Sequence, residues 1–455
     1  MVVYLFVVIQ IYNKFGSFLL LLQLSTIYHS KCRMSQTSFS HAYAQVSSSF
    51  SRKVVIFVTF ELTSMKQEEI NRIDFDEYIR QGEPSRKERA GIWQTAIGLQ
   101  AVDGLRTSDY LKTTARKHIE GEIGIDEVRD LIKSYYLSKT QREPEDDDRQ
   151  EADQVSANIA KILSSQTLDF STGGYISVHR RIFEGVFKHA GKLRDYDITK
   201  REWILDGSSV NYLNWEDLRR ALDYDIEQER LFSYKGISSD QMVEHIVRFV
   251  SGLWQIHPFC EGNTRTTAVF AILYLRSIGF NVNNELFARH SWYFRNALVR
   301  ANYKNAILGI DYTPVYLERF FRNLLLGEQW DLRNRYLHIH ASAEWKEQSN
   351  RGSTVQTGQV DAENRTSTGQ VQDKLHTDQE NIKKLVAVIG DGRLSVKSMM
   401  DCIGLKGRGN FLTLYLNPAI QEGFVGLLYP DSPRHPRQKY VLTVKGLLLW
   451  SEMEK

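Results

Sequence analysis

The sequence predicts a mainly α-helical protein of several units, and three stretches carry that expectation. Between Ser238 and Ile256, "SSDQMVEHIVRFVSGLWQI" repeats Met242, Val243, Ile246, Val247, Val250 and Trp254 at helical spacing. Ser238 and Gln241 form a capping box in front of that run. "TAVFAILYLRSIG", shortly after it, is apolar nearly all round, which marks a central buried helix, and Gly279 suits its C-terminal cap. At the C-terminal end, "ENIKKLVAVIG", "LSVKSMMDCIGL" and "NFLTLYLNPAIQEGFVGLL" read as three helices, and "YPDSPRHPRQKYVLT" as a turn and strand. That is the order of elements in a winged-helix domain.

The remaining elements follow along the chain. Residues 1–64 are apolar and Ser-rich, but Gln10, Asn13, Lys14 and Gly16 interrupt the first run before it reaches spanning length. They read as an upstream translation artefact or unfolded extension in preference to a membrane anchor, and no basic secretory leader precedes them. Residues 65–140 read as a small helical unit. Ile92, Ile97, Leu99, Val102 and Leu105 mark one face, Gly104 stops that run, and Ser108 caps the next helix. A third short helix follows, with Val128, Leu131 and Ile132 on its buried side. "QREPEDDDRQEAD" is a proline-punctuated acidic run of the kind that forms a solvated linker. Residues 154–327 form the main helical unit, in which "DYDITKREWILDGSSVNY" alternates like a short hairpin turning at Asp206, Gly207, Ser208 and Ser209. A polar stretch repeating "TGQV" gives a flexible linker over 340–376, ahead of the C-terminal unit 377–455.

Length and composition limit the function classes. A chain of 455 residues holds two or three cores, and its 25% charged residues are ordinary for a globular protein. A formal net charge of +3 does not by itself argue for nucleic acid. Cys32, Cys260 and Cys402 are too widely spaced for a disulfide framework or a zinc site, so a reducing, cytoplasmic compartment is expected.

The chemistry concentrates in "IHPFCEGNTRTTAVF". A cap at Gly262 or Asn263, a rigid Pro258 and a core Phe259 account for part of it as an ordinary helix start. A lone His before a proline is also more often structural than catalytic, but this reading leaves Glu261 and Arg265 unexplained. A helix N-terminus preceded by glycine offers free backbone N–H groups to a phosphate, and Arg265 in its first turn adds a charged grip. Glu261 suits Mg2+, which usually sits on one carboxylate plus nucleotide phosphates, and His257 suits removal of a proton from an attacking hydroxyl. Base, metal ligand and anion cradle within nine residues specify phosphoryl or nucleotidyl transfer.

"HPFCEGNTR" resembles the signature of the Fic family, whose members transfer a nucleotide moiety, usually AMP from ATP, to a protein hydroxyl. The resemblance implies a Fic-fold helical core with a small β-hairpin flap. It makes His257 the general base, Phe259 a core anchor and Glu261 the magnesium ligand, with Gly262, Asn263, Thr264 and Arg265 at the phosphates. "VHRRIFEGVFKHAGKLRDYDI" resembles the family's helix leading into its flap, and 206–209 then become the docking flap for a protein substrate. The family's second arginine is replaced by Ala268, which loosens the expected orientation of ATP and opens the question of the donor.

"AIGLQAVDGL" and "HIEGEIGIDEVRDLI" resemble the small antitoxin proteins that plug Fic toxins. In one frame of their inhibitory motif Asp103-Gly104 stands for Glu-Gly, with Leu99 at the hydroxyl position; in a second frame Glu120-Gly121 does, with Arg116 there. The first keeps the order of the following helices and makes Asp103 and Gly104 the inhibitory candidates. The C-terminal unit carries Lys406 and Arg408 before its third helix and "SPRHPRQK" in its wing, which leaves DNA binding and protein docking both open. A homo-oligomer is equally open. Two functions stand at this point: a nucleotidyltransferase acting on protein Ser, Thr or Tyr hydroxyls, held in check by its N-terminal helices, and a DNA-binding regulator whose core senses nucleotide with little catalysis.

Overall fold

The computed structural model describes residues 75, 78, 83–138, 143–165, 167–282, 285–342, 345, 347, 377–430 and 432–454. The expected extension (1–64) and all of the expected linker (340–376) except 340–342, 345 and 347 lie outside the described residues. The fold is mostly helical. Helices α1 (Pro84–Gly98), α2 (Asp109–Glu120), α3 (Ile125–Leu137), α4 (Gln150–Ser164) and α5 (Thr172–Ile182) lead to α6 (Leu218–Leu231), α7 (Ser239–Ile256), α8 (Asn263–Ser277), α9 (Glu285–Ala301) and α10 (Val315–Leu326).

Helix α8 is the axis of the core. Every residue from Asn263 to Leu275 is buried: the apolar run from Ala268 packs on all sides against α4, α5 and α7, and the polar first turn is enclosed with it. Helix α7 starts with the expected reciprocal cap: Gln241 N donates to Ser238 Oγ at 3.2 Å and Ser238 N donates to Gln241 Oε1 at 2.8 Å. The N-terminal helices share this core. Trp93, Ile97 and Leu99 are buried in one cluster with Phe259, Val269 and Ile272. Ser291 on α9 donates to the Gly98 carbonyl at 2.8 Å, which fixes the end of α1.

Two expectations need correction. The acidic run is structured: Pro144–Arg149 forms a 3₁₀ turn that runs straight into α4. Its carboxylates are partly internal, because tyrosines distant in sequence supply them with donors. Tyr135 donates to Asp146 at 2.7 Å, and the wholly buried Asp153 accepts from Ser108 N at 2.9 Å, Ser108 Oγ at 2.5 Å and Tyr136 Oη at 2.8 Å. The expected hairpin also lacks a ladder, since no described residue of 195–212 is in a strand. Ile204 and Leu205 are consecutive buried residues, which an alternating strand cannot supply, so Trp203–Leu205 makes a 3₁₀ turn closed by Glu202 N donating to Ser208 O at 2.9 Å.

The C-terminal unit has its own core around Leu385, Met399, Phe411 and Phe424. It comprises α11 (Glu380–Ile389), α12 (Val396–Ile403), α13 (408–421), the antiparallel pair β1 (Val425–Leu427) and β2 (Tyr440–Leu442), and α14 (Val444–Met453). Helix α13 widens to a π-turn over Leu412–Leu416. Pro418, which lacks an N–H for the Leu414 carbonyl and would clash with it in a regular helix, accounts for the widening. The unit is fastened to the end of α8: Val444 N donates to Ile278 O at 3.1 Å, and Gly279 and Gly423 meet so closely that a Cβ on Gly423 would lie 2.0 Å from the Gly279 carbonyl oxygen.

Burial raises the Asp153 pKa to about 6, against the three donors that pull it down. A raised carboxyl pKa contributes stability that is complete below the usual aspartate range and is lost as pH rises through about 6. Asp153→Ala leaves buried donors without an acceptor and should cost about 3 kcal/mol. Denaturant unfolding should show the gap to wild type widest near pH 4 and narrower near pH 7 (both approximate, set by the ordinary and shifted carboxyl ranges); a pH-independent gap would mean that Asp153 is not protonated in the fold.

Candidate functional site

The polar loop between α7 and α8 is built from the backbone outward. His257 ends α7 in the left-handed region, at φ 49°. Its strained backbone is held by Arg194, whose Nε donates to His257 O at 2.9 Å and whose other nitrogens reach the carbonyls of Tyr196, Leu213 and Ile256. Arg194 N also donates to Pro258 O at 2.9 Å. One buried guanidinium thus ties the loop after α5 to the start of the motif.

The imidazole of His257 is 3% exposed. Its Nδ1 lies 3.2 Å from the Trp254 carbonyl, while Nε2 is buried with no hydrogen-bond partner among the described residues. The Tyr212 ring lies over it at 4.1 Å, and Tyr212 Oη reaches Glu202 Oε1 at 3.5 Å. Glu202 is itself buried and paired with Arg295 at 2.7 Å. Burial first, and then the charge of Lys200, holds the His257 pKa well below its ordinary value. The ring is therefore a neutral base at physiological pH.

Below it, Phe259 is completely buried and stacks on His179 at 3.7 Å. His179 Nδ1 accepts from Gly191 N at 2.8 Å, so Nε2 carries the hydrogen that it donates to Glu261 O at 3.1 Å. Burial lowers the His179 pKa to about 3, which keeps it a fixed neutral brace. Gly262 has φ 74°, and a Cβ there would lie 2.1 Å from the Phe183 ring, so glycine is required twice over.

The side chains of Asn263 and Thr264, expected on phosphates, serve the loop. Asn263 donates to Phe259 O at 2.7 Å and accepts from Phe259 N at 3.0 Å, while Thr264 Oγ1 accepts from Trp254 Nε1 at 3.0 Å. The contiguous turn leaves the Phe259 backbone and Trp254 indole without other partners, and these side chains supply them. What Asn263, Thr264 and Arg265 keep for a ligand is their backbone N–H groups, which have no acceptor among the described residues. Glu261 points outward, with Lys200 Nζ 3.5 Å from its carboxylate. No cluster of three metal-ligating side chains occurs among the described residues. One exposed carboxylate beside an open helix N-terminus fits Mg2+ that arrives with its other ligands on a nucleotide.

Arg265 is where the site departs most from expectation. Its guanidinium, 2% exposed, is enclosed by the N-terminal half of the chain. Nη1 donates to Gln100 Oε1 at 3.0 Å, Nη2 donates to Glu151 Oε1 at 2.9 Å, and Nε lies 2.8 Å from Asp103 Oδ2. The Nε–H is not aligned with that last contact, so Asp103 acts there as a charge and not as an acceptor. The Phe183 ring covers the cation at 4.8 Å. Asp103 ends a 3₁₀ turn (Leu99–Asp103) that Gly104, at φ 72°, terminates. Glu120, the competing candidate, pairs with Arg86 at 3.0 Å and not with the motif. Ala268, three residues beyond Arg265, is wholly buried. On the flap, Asp206 takes φ 53° and lies 3.5 Å from His340, Gly207 has φ 84°, Ser208 O closes the turn, and Ser209 Oγ accepts from Lys200 N at 3.2 Å.

Arg194, His179, Glu202, Tyr212, Arg295, Gln100 and Glu151 are site residues that local sequence reading missed. Each reaches the motif from a distant element, and no spacing in the sequence marks them.

Comparison with known proteins agrees with the motif. Residues 169–275 match the Fic/DOC family, and residues 380–443 match the C-terminal domain of Fic-like (filamentation induced by cAMP) proteins. The chain carries a Fic domain and a Fic-like C-terminal domain. Over 170 residues, 37% of this chain, it is 25% identical to the protein adenylyltransferase VbhT of Bartonella schoenbuchensis, of which the matched region covers 34%. A Fic family protein from Desulfovibrio desulfuricans G20 aligns with 84% of this chain and 95% of its own at 17% identity and TM-score 0.36. The N-terminal Fic domain of a Bartonella effector protein from Bartonella sp. AR 15-3 aligns with 38% and 81% at 19% identity and TM-score 0.31. No described helix is long and apolar enough to cross a membrane.

Gly262→Ala should lower stability by about 2 kcal/mol or more, through a strained φ and a clash with Phe183. Thermal unfolding checks it; an unchanged melting temperature would mean that the loop can be rebuilt without glycine.

Proposed function

We propose that this Fic-domain chain transfers a nucleotide moiety, most simply AMP from ATP, to a hydroxyl of a protein, and that its own N-terminal helices restrain it. The observation that carries the reading is the buried, neutral Nε2 of His257, without a partner among the described residues, beside the open N-terminus of α8. In the transfer, His257 Nε2 takes the proton of the attacking Ser, Thr or Tyr hydroxyl. The hydroxyl oxygen bonds to the α-phosphorus and the bond to the departing pyrophosphate breaks. The backbone N–H groups of residues 263–265 receive the phosphate oxygens. Bound Mg2+ would supply charge neutralisation at those phosphates, with Glu261 as its protein ligand.

The restraint follows from Arg265. Two carboxylates and an amide surround the one motif arginine, so a triphosphate has to displace Asp103 before Arg265 can grip it. Ala268 leaves no second arginine to share the task, which favours low basal activity and also supports the rival reading, a nucleotide sensor with little catalysis. The N-terminal helices share the main core, so removing them would unfold it; point variants are the proper test.

Intact mass of the full chain and candidate targets after incubation with each nucleoside triphosphate and Mg2+ should show addition of one nucleotide monophosphate. His257→Ala should lower labelling about 10²–10⁴-fold with the fold intact. Labelling at the wild-type level in that variant would leave only the sensor. Because the His257 pKa is depressed, acid inhibition should set in only below the usual histidine range; a half-loss near pH 6.5 would show the base exposed and unperturbed. Asp103→Asn, which removes charge and keeps shape, should raise labelling by about 10-fold, corresponding to about 1.5 kcal/mol for one charge-assisted contact. No rise in either Asp103→Asn or Glu151→Gln would remove the restraint and leave a structural cap.

A further inference from the structure

In this arrangement no hydroxyl can reach the nitrogen that is to take its proton. A general base has to come within about 3 Å of the oxygen it deprotonates. His257 Nε2 is closed to solvent and meets no polar group among the described residues. The lone pair is on that nitrogen, because Nδ1 faces the Trp254 carbonyl at 3.2 Å and so carries the hydrogen. A group covering the ring therefore has to move before a substrate hydroxyl arrives.

Two aromatic side chains cover the imidazole. Trp254 stands edge-on at 5.2 Å, is 1% exposed, and donates its indole N–H to Thr264 at 3.0 Å. It belongs to α7 and to the core, and it is fixed there. Tyr212 lies closer, its ring centre 4.1 Å from that of His257 and the planes inclined at 36°. It is half-buried and sits on residues 208–214, which form no helix or strand. Its hydroxyl meets Glu202 only at 3.5 Å, the outer limit of a hydrogen bond, while Arg295 already holds that carboxylate at 2.7 and 3.1 Å. Among the described residues the amide and carbonyl of Tyr212 have no partner, whereas the carbonyls of Asn211 and Leu213 are held by Gln255 and Arg194. The backbone is pinned on both sides of a side chain that is itself weakly anchored.

We infer that the Tyr212 ring is a gate over His257: closed, it seals Nε2, and turned about its Cα–Cβ bond into another staggered rotamer, it opens that nitrogen to a hydroxyl laid along the flap. The turn strands no buried donor, since the Tyr212 hydroxyl passes to solvent. The closed position is held by ring contacts, with His257 beneath and the Trp254 edge at 5.7 Å beside it. A closed ring also keeps water from the base, so a bound nucleotide is spared hydrolysis while no target is docked. The gate acts on the base and the Asp103 contact acts on Arg265, so the two restraints bear on different parts of the site. What the gate controls rests on the nucleotidyl-transfer reading; the seal itself is measured without turnover.

The test is carbethoxylation of the full chain by diethyl pyrocarbonate at neutral pH, read residue by residue by peptide mass spectrometry. The reagent reacts with the lone pair of an accessible neutral imidazole, so failure of the gate and failure of nucleotidyl transfer are separate results. His340, whose side chain is 60% exposed, is the internal reference. An open state populated at about 0.1–10% slows reaction about 10-fold or more, and His257 should lag His340 by at least that factor. Tyr212→Ala should raise the His257 rate by about the same factor, about 10-fold or more, and leave His340 unchanged. Tyr212→Phe, which keeps the ring and loses only the long hydroxyl contact, should stay close to wild type. An exposed His257 in Tyr212→Ala with no labelling of any protein would keep the seal and strike the transfer reading. Wild-type His257 reacting as fast as His340 overturns the gate without recourse to any variant. So does a Tyr212→Ala chain with an unchanged melt and a protected His257, or a Tyr212→Phe chain as reactive as Tyr212→Ala.

Discussion

A guanidinium with almost no exposed surface has to be neutralised where it stands, and much of this fold is arranged around that requirement at Arg265. Removing such an ion from water costs several kcal/mol, and only well-placed partners offset it. Here the partners come from two elements far apart in sequence, Asp103 and Gln100 on the turn after α1 and Glu151 at the start of α4. Neither can reach unless α1 lies inside the core, which is what the burial of Trp93, Ile97 and Leu99 accomplishes. Two carboxylates against one cation leave the first turn of α8 with an excess of negative charge close to the positive end of a helix dipole. The protein's own side chains thereby supply negative charge at that helix end.

His257 is fixed by a second buried guanidinium used in a different way. Arg194 has one carboxylate nearby, the exposed Asp197 at 3.5 Å, and it spends its other donors on main-chain carbonyls around His257. It thus holds a histidine in a left-handed conformation that costs of order 1 kcal/mol. The Glu202–Arg295 pair does the corresponding work for the flap, because Glu202 anchors both the turn at 203–208 and the Tyr212 hydroxyl over the imidazole. Flap and base are consequently one packed assembly, and the low basicity of His257 follows from that packing.

What the sequence disclosed and what it hid divide along the same physical line. Features carried by adjacent residues were legible: the capping box at Ser238, the apolar run of α8 from Ala268, the glycine before the helix, and Asp103-Gly104 at the end of a helical run. Features that depend on partners far along the chain were not. Asp146 and Asp153 looked like linker residues because nothing in "EPEDDDRQEAD" shows that tyrosines and a serine, 11, 17 and 45 residues away, will turn their hydroxyls toward them. The hairpin pattern failed because alternation was read where consecutive residues, Ile204 and Leu205, go inward. In the motif itself residue types were legible and roles were not: Asn263 and Thr264 satisfy neighbouring protein groups and leave only their amides to a ligand.

Helix α8 links the two ends of the molecule that have chemical character. Its N-terminus carries the cradle of free amides, and just beyond its C-terminus Ile278 and Gly279 receive the C-terminal unit. A helix of 15 residues is about 22 Å of rigid rod, which invites the idea that events at one end are felt at the other. Rigidity alone does not produce coupling; that takes an element with two arrangements whose balance both sites shift. Helix α8 is buried from Asn263 to Leu275 and contains no π-turn or kink, so it offers no second arrangement. The Asp103–Arg265 contact differs from α8 in lying at the edge of the core, with the Asp103 side chain 34% exposed against 2% for Arg265. That contact lies at the N-terminal end of α8, and the C-terminal unit is fastened at the other.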